Sequence, residues 1–220
     1  MMDDEIVKIK ALLTELAGGD KADPEVLQSF EQMFASLDDL KDTAIEGTRR
    51  IKKIVEGLRF FTHLDATEQK EVAVADLIES TVHLIRTQYN EIDIKIELGC
   101  NAYILCFPSK LGQVLMNIII NACQAVEDCS GEVKGEVIVS TQQAVANRLK
   151  ISIKDNGAGM DEATMNRVFE PFFTTKEVGR GTGLGMAISF GIIQEHDGTI
   201  DIASTVGVGT TMDICLPMLV

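Results

Sequence analysis

Basic residues are scarce in this chain. Its 220 residues include 20 lysines and arginines against 34 aspartates and glutamates, which gives a formal net charge of −14. Histidine is rarer still, with three copies. A surface so acidic repels polyanions, so we expect neither nucleic acid nor an anionic lipid surface as the main partner.

Paired cysteines and long apolar runs are also missing. No two of the five cysteines form a C-x-x-C pair, which predicts free, mostly buried thiols in a reducing cytosol. The most apolar stretch, residues 114–126, is interrupted by Asn117, Asn121 and Gln124, so no segment is long and apolar enough to span a membrane. No signal peptide opens the chain, and we expect a cytoplasmic piece without direct membrane contact.

The first 66 residues carry helical periodicity. Residues 3–17 predict a short helix, and Asp23 followed by Pro24 predicts the N-terminus of a second one. The apolar stripe of this second helix comprises Leu27, Phe30, Phe34, Leu37, Leu40, Ala44, Ile51, Ile54, Leu58 and Phe61. At 1.5 Å per residue such a helix is roughly 55–60 Å long and needs helical partners. Either a second chain supplies them, or the first helix has lost its N-terminal part.

From about residue 70 the pattern changes to alternating strands and helices. The periodicities predict strands near residues 71–75, 92–98, 103–107, 136–142, 149–154, 199–204 and 210–216, and helices near 75–89, 108–128 and 183–196. The fold class is therefore α+β: a helical hairpin that forms a dimerising four-helix bundle, followed by an α/β sandwich with one mixed sheet and helices on one face. We predict domains at residues 1–66 and 67–220.

Two amides interrupt the predicted helix 108–128. Asn117 and Asn121 are four residues apart and therefore share one face. They either brace buried backbone or present neutral oxygens to a magnesium–phosphate group, since Mg²⁺ is usually held by one or two protein oxygens plus waters and phosphates.

A carboxylate at the end of a strand precedes a glycine turn. Asp155 is followed by Asn156, Gly157, Ala158 and Gly159. Such a carboxylate can accept a hydrogen bond from an exocyclic amine such as that of adenine, although Asp-Asn-Gly is also a plain turn signal.

A phenylalanine-rich piece leads into a second glycine run. Phe169, Phe172 and Phe173 suit core anchors for a mobile lid, and Lys176 and Arg180 are candidate phosphate partners. Residues 181–186 (GTGLGM) open a helix whose free N–H groups and positive dipole end form an anion site. The spacing is neither a P-loop nor a dinucleotide fingerprint.

Taken in order, these pieces resemble the N, G1, F, G2 and G3 boxes of bacterial sensor histidine kinases, with Gly207-Val-Gly-Thr-Thr as the last box. The wider fold is the Bergerat or GHKL ATPase fold. The F-E-P-F-F-T-T-K segment and the helix around Glu46 resemble the nitrogen-regulation-type subgroup. The resemblance covers residues 70–220, and the long helix resembles the second helix of a dimerisation and phosphotransfer domain.

The resemblance implies ATP and Mg²⁺ as cofactors. It implies that Asn121 ligates the metal with help from Asn117, that Asp155 binds the adenine amine beside Gly157, Gly159 and Thr210, and that phosphates are held by Lys176, Arg180, Gly181, Thr182, Gly183, Leu184 and Gly185. It also implies transfer of the γ-phosphate to a histidine and onward to the aspartate of a response-regulator receiver domain, within a homodimer formed through the helical hairpin.

The acceptor histidine of that family is missing. No His-Glu pair occurs in the chain. His63 lies where relatives carry a basic residue, and we expect His83 and His196 to be surface residues. The acceptor is therefore expected outside this chain, and the chain alone should not phosphorylate itself.

Three other functions stay open on the sequence. The chain could be a nucleotide-binding regulatory module that docks a kinase or response regulator without phosphotransfer. It could be an ATPase that drives conformational change, but such enzymes carry Glu where this chain has Asn117. It could be an anti-sigma-type serine kinase, which the long helix disfavours.

Overall fold

We analysed a computed structural model of the chain, and the structure describes residues 25, 28–29, 32–45, 47–48, 68–129, 134–176 and 181–219. The chain divides into two compact units, Met1–Lys53 and Ile54–Val220. The predicted first helix and the predicted boundary at residue 66 lie outside the described residues.

Residues 32–45 of the first unit are helical, within the stripe that predicted the long helix. Phe34 is buried. Four other apolar side chains of this segment are exposed: Met33, Leu37, Leu40 and Ile45. A helix with exposed apolar side chains has surface left for a partner.

The second unit alternates strands and helices. Its elements are β1 (Lys70–Ala73), α1 (Val74–Arg86), β2 (Asp93–Leu98), β3 (Tyr103–Cys106), α2 (Pro108–Glu127), β4 (Glu136–Ala144), β5 (Arg148–Asp155), α3 (Glu162–Arg167), α4 (Gly185–Glu195), β6 (Thr199–Thr205) and β7 (Gly209–Pro217). The elements predicted for this unit are all present, with ends that differ by at most three residues. No helix among the described residues is long and apolar enough to cross a bilayer.

Five strands form the main sheet, in the order β2-β4-β5-β7-β6. The β2–β4 pair is parallel and the other pairs are antiparallel. Side chains along β4, β5 and β7 alternate between buried and partly exposed, as expected when one face packs on helices and the other faces solvent. This mixed sheet with helices is the predicted α/β sandwich.

The prediction of one sheet was wrong. Strands β1 and β3 form a separate antiparallel pair, in which Val72 lies opposite Ile104. Alternation of apolar residues identifies a strand but does not choose its partner. The short helix α3 was not predicted, although Asp161 caps it by accepting a hydrogen bond from the Thr164 N–H at 2.8 Å.

Helix α2 is the centre of the core. Eight of its side chains are buried: Leu111, Val114, Leu115, Ile118, Ile119, Ala122, Cys123 and Val126. A buried Leu or Ile contributes roughly 1.5–3 kcal/mol relative to exposure, so this face fixes α2 firmly against the sheet. The opposite face carries the amides, and its position is set by the same packing.

Candidate nucleotide-binding site

Three segments of the glycine-rich half converge on one face of α2. The backbone carbonyl of Ala125 accepts a hydrogen bond from the Ala158 N–H at 3.0 Å. The side chain of Asn121 contacts Lys176, and the side chain of Asn117 contacts the start of α4. Residues 117, 121 and 125 are four apart, so these contacts lie along one face over about 12 Å of helix.

The Asp155 carboxylate sits at the end of β5 and is 5% exposed. Its Oδ1 accepts hydrogen bonds from the Gly157 N–H at 2.8 Å and from the Thr210 N–H at 3.2 Å. Among the described residues these are its hydrogen-bond donors, and both use Oδ1. The second oxygen, Oδ2, therefore remains available to accept a hydrogen bond from an amine.

Burial raises the pKa of the Asp155 carboxyl above its usual range, and the two backbone N–H groups oppose that rise. A buried carboxylate costs solvation energy that an apolar or amide side chain in its place would not. A buried carboxylate that lowers the stability of the fold in this way is a candidate for a role in ligand binding.

The turn after Asp155 is pressed against α2. A Cβ atom built on Gly157 would lie 2.5 Å from the backbone carbonyl of Ala125, so no other residue fits there. Gly159 packs in the same manner against the Thr205 carbonyl. Asn156 braces the turn, since its Oδ1 accepts from the Glu136 N–H at 2.8 Å. Residues 155–159 therefore form a structured turn that also offers a surface against which a ligand can pack.

Asn117 connects α2 to α4. Its side-chain nitrogen donates to the Gly185 carbonyl at 3.3 Å and to the Ser189 Oγ at 3.4 Å. The side-chain nitrogen of Asn117 therefore braces partly buried backbone, and bracing was one of the two roles predicted for this residue. The same contact places the start of α4 beside the amide face of α2.

Asn121 and Lys176 touch directly. The Lys176 ammonium donates to the Asn121 Oδ1 at 2.9 Å and also to the Gln124 Oε1. The sequence suggested these two residues for different parts of a nucleotide, the metal and the phosphates, and the structure brings them together. A role for Gln124 was missed, although its place three residues after Asn121 puts it on the same helix face.

Helix α4 begins with uncapped backbone. Its N-cap residue, Leu184, makes no side-chain capping hydrogen bond, so first-turn N–H groups from Gly185 onward have no side-chain partner among the described residues. These N–H groups suit an anion. Thr182 lies just before this turn, and its Oγ1 accepts from the Leu184 N–H at 3.4 Å.

Gly183 fixes the approach to α4. It has a φ of +66°, and its carbonyl accepts from the Phe172 N–H at 2.9 Å. A side chain at Gly183 would collide with the Phe172 backbone. Gly181 lies near the Thr174 hydroxyl, whereas Arg180 lies outside the described residues.

The phenylalanines behave differently from one another. Phe169 is partly buried and packs on Phe190 with ring centroids 5.3 Å apart, as a core anchor should. Phe172 is 65% exposed, so its prediction as an anchor was wrong. It also has a φ of +68°, an uncommon backbone conformation for a residue other than glycine.

His196 is buried, which corrects its prediction as a surface residue. Its Nδ1 lies 2.7 Å from the Ile192 carbonyl, and its Nε2 accepts from the Phe107 N–H at 3.0 Å. Both ring nitrogens are therefore bound to backbone. His83 is exposed on α1 as predicted, and His63 lies outside the described residues.

The prediction of free thiols is confirmed, but the prediction that most of them are buried was wrong, since Cys100 and Cys215 are half-buried and Cys129 is exposed. All five cysteines are free. Cys106 and Cys123 are buried, and burial raises the pKa of the Cys123 thiol to about 12. A thiol with that pKa is almost fully protonated at neutral pH and is a poor nucleophile.

Residues 107–220 match the family described as "Histidine kinase-, DNA gyrase B-, and HSP90-like ATPase". This range begins at the residue before α2 and includes every predicted site residue.

Two curated relatives are sensor or sporulation kinases. Sporulation kinase E of Bacillus subtilis (strain 168) is 35% identical over 173 residues, which cover 77% of this chain and 22% of the relative. The signal transduction histidine-protein kinase AtoS of Escherichia coli (strain K12) is 36% identical over 171 residues, which cover 76% of this chain and 27% of AtoS. The chain thus spans about a quarter of the length of these relatives.

A solved structure has the same fold. The catalytic domain of histidine kinase ThkA superposes with a TM-score of 0.58 and 27% sequence identity, covering 68% of this chain and 95% of that domain.

Proposed function

The chain belongs to the family of histidine kinase-, DNA gyrase B- and HSP90-like ATPases and contains the ATP-binding domain of sensor histidine kinases, and from this premise we propose that it binds Mg-ATP and transfers the γ-phosphate to a histidine. The convergence of Asp155, the start of α4 and Lys176 on one face of α2 carries the proposal.

The side chains of this face fit a nucleotide. Asp155 would accept the adenine amine through Oδ2, and the uncapped N–H groups of α4 would receive phosphate oxygens. Asn121 already binds a positive charge, the Lys176 ammonium, so its Oδ1 faces a place that a cation can occupy. Bound there, Mg²⁺ would neutralise phosphate charge, which together with positioning is most of what phosphoryl transfer requires.

The metal would come with the nucleotide. No group of three or more His, Cys, Asp or Glu side chains suited to a metal exists among the described residues. Magnesium sites built from one or two protein oxygens plus phosphates and water are common. Asn121, with Asn117 nearby, fits that pattern.

We propose that the acceptor histidine is not in this chain. His196 has both ring nitrogens bound to backbone, and His83 lies on α1 of the ATP-binding domain itself. The phosphate would then pass to the aspartate of a response-regulator receiver domain. Domains at residues 1–66 and 67–220, a homodimer through the helical region and a cytoplasmic location complete the proposal. The second domain is supported by its buried core, since the core residues of this cluster that the structure describes lie between residues 74 and 216.

Nucleotide binding is tested with a fluorescent ADP analogue in the presence of Mg²⁺. We expect Asn121→Ala to weaken binding at least about tenfold, because an oxygen ligand to a charged group is lost. Asn101→Ala, an exposed amide between β2 and β3, is the matched control and should bind like the unsubstituted chain. Equal affinities for all three proteins would contradict the proposed site.

Transfer is tested with γ-labelled ATP and a separately purified helical dimer from a relative that carries its own histidine. We expect acid-labile label on that dimer and none on this chain. Stable label on this chain would overturn the proposal that the acceptor lies elsewhere. Tight ATP binding without any transfer would favour the regulatory module, which no observation on the described residues favours at present.

A further inference from the structure

The Lys176 ammonium binds the Asn121 Oδ1, the same oxygen that is proposed to bind the metal. It lies 2.9 Å from the Asn121 Oδ1 and also contacts the Gln124 Oε1. Both acceptors are neutral amides on α2, so one positive charge is held by two oxygens less than one helical turn apart.

Gln124 also interacts with a residue of the core, Tyr89. The buried Tyr89 interacts with the Gln124 side chain: burial raises the pKa of the Tyr89 hydroxyl, and this interaction partly offsets the rise. Asn121, Gln124 and Lys176 form a cluster that we call the cation cradle, in which the two amide oxygens hold the Lys176 ammonium.

We propose that Lys176 is an internal cation that competes with Mg²⁺ for Asn121, so that a metal–nucleotide complex must displace its ammonium. The proposal rests on the proposed function, that this site binds Mg-ATP. A Mg²⁺ ion binds oxygen at about 2.1 Å, and an ammonium on the same oxygen would be close enough to repel it strongly. Gln124 keeps the displaced ammonium nearby, within reach of phosphate oxygens.

The competition has a measurable consequence. In the absence of metal, Lys176 supplies the positive charge beside the phosphates, so nucleotide binds moderately. When Mg²⁺ binds, part of its favourable binding free energy is offset by the cost of displacing the Lys176 ammonium from Asn121. The ratio of the dissociation constant in EDTA to that in Mg²⁺ is therefore smaller than it would be without the lysine.

The first experiment measures this ratio with the fluorescent ADP analogue. We expect Lys176→Met to bind more weakly in EDTA and to show a ratio at least about threefold larger than the unsubstituted chain. Lys95→Met is the matched control, because Lys95 is also paired, with Glu136 on the opposite strand, and its ratio should not change. An unchanged or smaller ratio in Lys176→Met would overturn the competition.

The second experiment needs no nucleotide. The rate of acetylation of Lys176 by an N-hydroxysuccinimide ester is followed by mass spectrometry in the unsubstituted chain and in Gln124→Met. We expect at least a twofold faster reaction at Lys176 in the variant, with Lys95 as the internal standard. Equal acetylation rates at Lys176 in the two proteins would overturn the proposal that Gln124 holds the ammonium.

The two proposals fail in different ways. If the unsubstituted chain binds no nucleotide with or without Mg²⁺, the proposed function is overturned, and the competition with it. If nucleotide binds and only the ratio fails to respond to Lys176→Met, the competition alone is overturned.

Discussion

The Asp155 carboxylate combines a structural role in its turn with a proposed role in ligand binding. It is buried, which disfavours its charge, yet it holds its turn through Oδ1 and leaves Oδ2 for a ligand. An asparagine could still accept both backbone hydrogen bonds, but its other atom would be a nitrogen donor facing the adenine amine.

Asp155→Asn should therefore separate stability from binding. We expect the affinity for the ADP analogue to fall about 10- to 100-fold, the range for losing a hydrogen bond to a charged group. The free energy of unfolding at pH 7, measured with urea, should be equal or higher. Asp201→Asn, on the exposed part of β6, should change neither quantity, and a large loss of stability in Asp155→Asn would contradict this account.

The pH dependence of stability follows from the same carboxyl. Because its pKa in the folded chain is raised above 3.8, the folded state keeps the proton to higher pH than the unfolded state. This contribution to stability is present at low pH and is lost as pH rises from about 3.8 through the folded pKa. Urea unfolding between pH 4 and 7 should show a smaller decline in Asp155→Asn.

His196 shows how a polar core residue can join two helices. It binds the Ile192 carbonyl of α4 and the Phe107 N–H at the start of α2. Its replacement would leave the Phe107 N–H without its partner, whereas the Ile192 carbonyl would keep the hydrogen bond from the backbone N–H of residue 196.

His196→Ala should destabilise the chain by about 1–3 kcal/mol, the cost of leaving one buried backbone group unpaired. The exposed His83→Ala is the control and should stay within about 0.5 kcal/mol of the unsubstituted chain. Urea unfolding measures both. Similar small effects for the two variants would show that the His196 contacts contribute little.

Sequence patterns identified some of these residues and not others. Asp155, Asn117 and Asn121 interrupt regular apolar patterns, so they are visible in the sequence. Gln124 interrupts the same stretch as the two asparagines, but its role and that of His196 are not visible, because they depend on partners 52 and 89 residues away, Lys176 and Phe107. Site roles that depend on long-range pairing need the fold.

At the scale of elements, α2 and α4 form an antiparallel pair that is tied at both ends of α4. His196 reaches Phe107 at one end, and Asn117 reaches Gly185 at the other. An ion pair between Lys110 and Glu195, at 2.6 Å, lies beside the first tie. The start of α4 is thereby held near Asn121 even without a ligand.

Gly183→Ala tests this placement. A side chain there requires an unfavourable positive φ, about 1–2 kcal/mol, and collides with the Phe172 backbone. We expect at least about a tenfold loss of affinity for the ADP analogue, because the start of α4 must move. A full-affinity Gly183→Ala would show that this segment does not hold phosphate.

Gly191→Ala is the control within the same helix. A Cβ there meets nothing within 4 Å, so the substitution should leave affinity unchanged and raise the free energy of unfolding by about 0.5–1 kcal/mol.

The sequence predicted elements better than their pairing. Apolar periodicity located α1, α2, α4 and all seven strands, because each except β1 has buried side chains, and β1 has two half-buried ones. It missed α3, none of whose residues is buried, so that no apolar stripe reveals it. It also placed β1 and β3 in the main sheet, since alternation is the same in either sheet.

At the scale of the whole molecule, the helical segment 32–45 has apolar surface to cover. Leu37 and Leu40 are 47% and 66% exposed. The proposed homodimer would bury such side chains against a second copy.

The double substitution Leu37→Asp and Leu40→Asp should give a monomer, because charges in an apolar interface oppose association. Light scattering across a concentration series measures the mass, and nucleotide affinity per chain should stay within about twofold. Asp39→Asn with Asp42→Asn, exposed positions of the same segment, should remain dimeric. A monomeric unsubstituted chain would contradict the proposed dimer.

The parallel pairing of β2 with β4 has a kinetic consequence. Parallel neighbours require a crossover connection, and here that connection contains β3 and α2, the helix on which every part of the site rests. The hairpins β4–β5 and β6–β7 close short loops and can form early, whereas the crossover must wait for a slower, long-range closure. We expect the nucleotide to act late in folding: by binding only the completed chain, it should slow unfolding and leave the refolding rate almost unchanged.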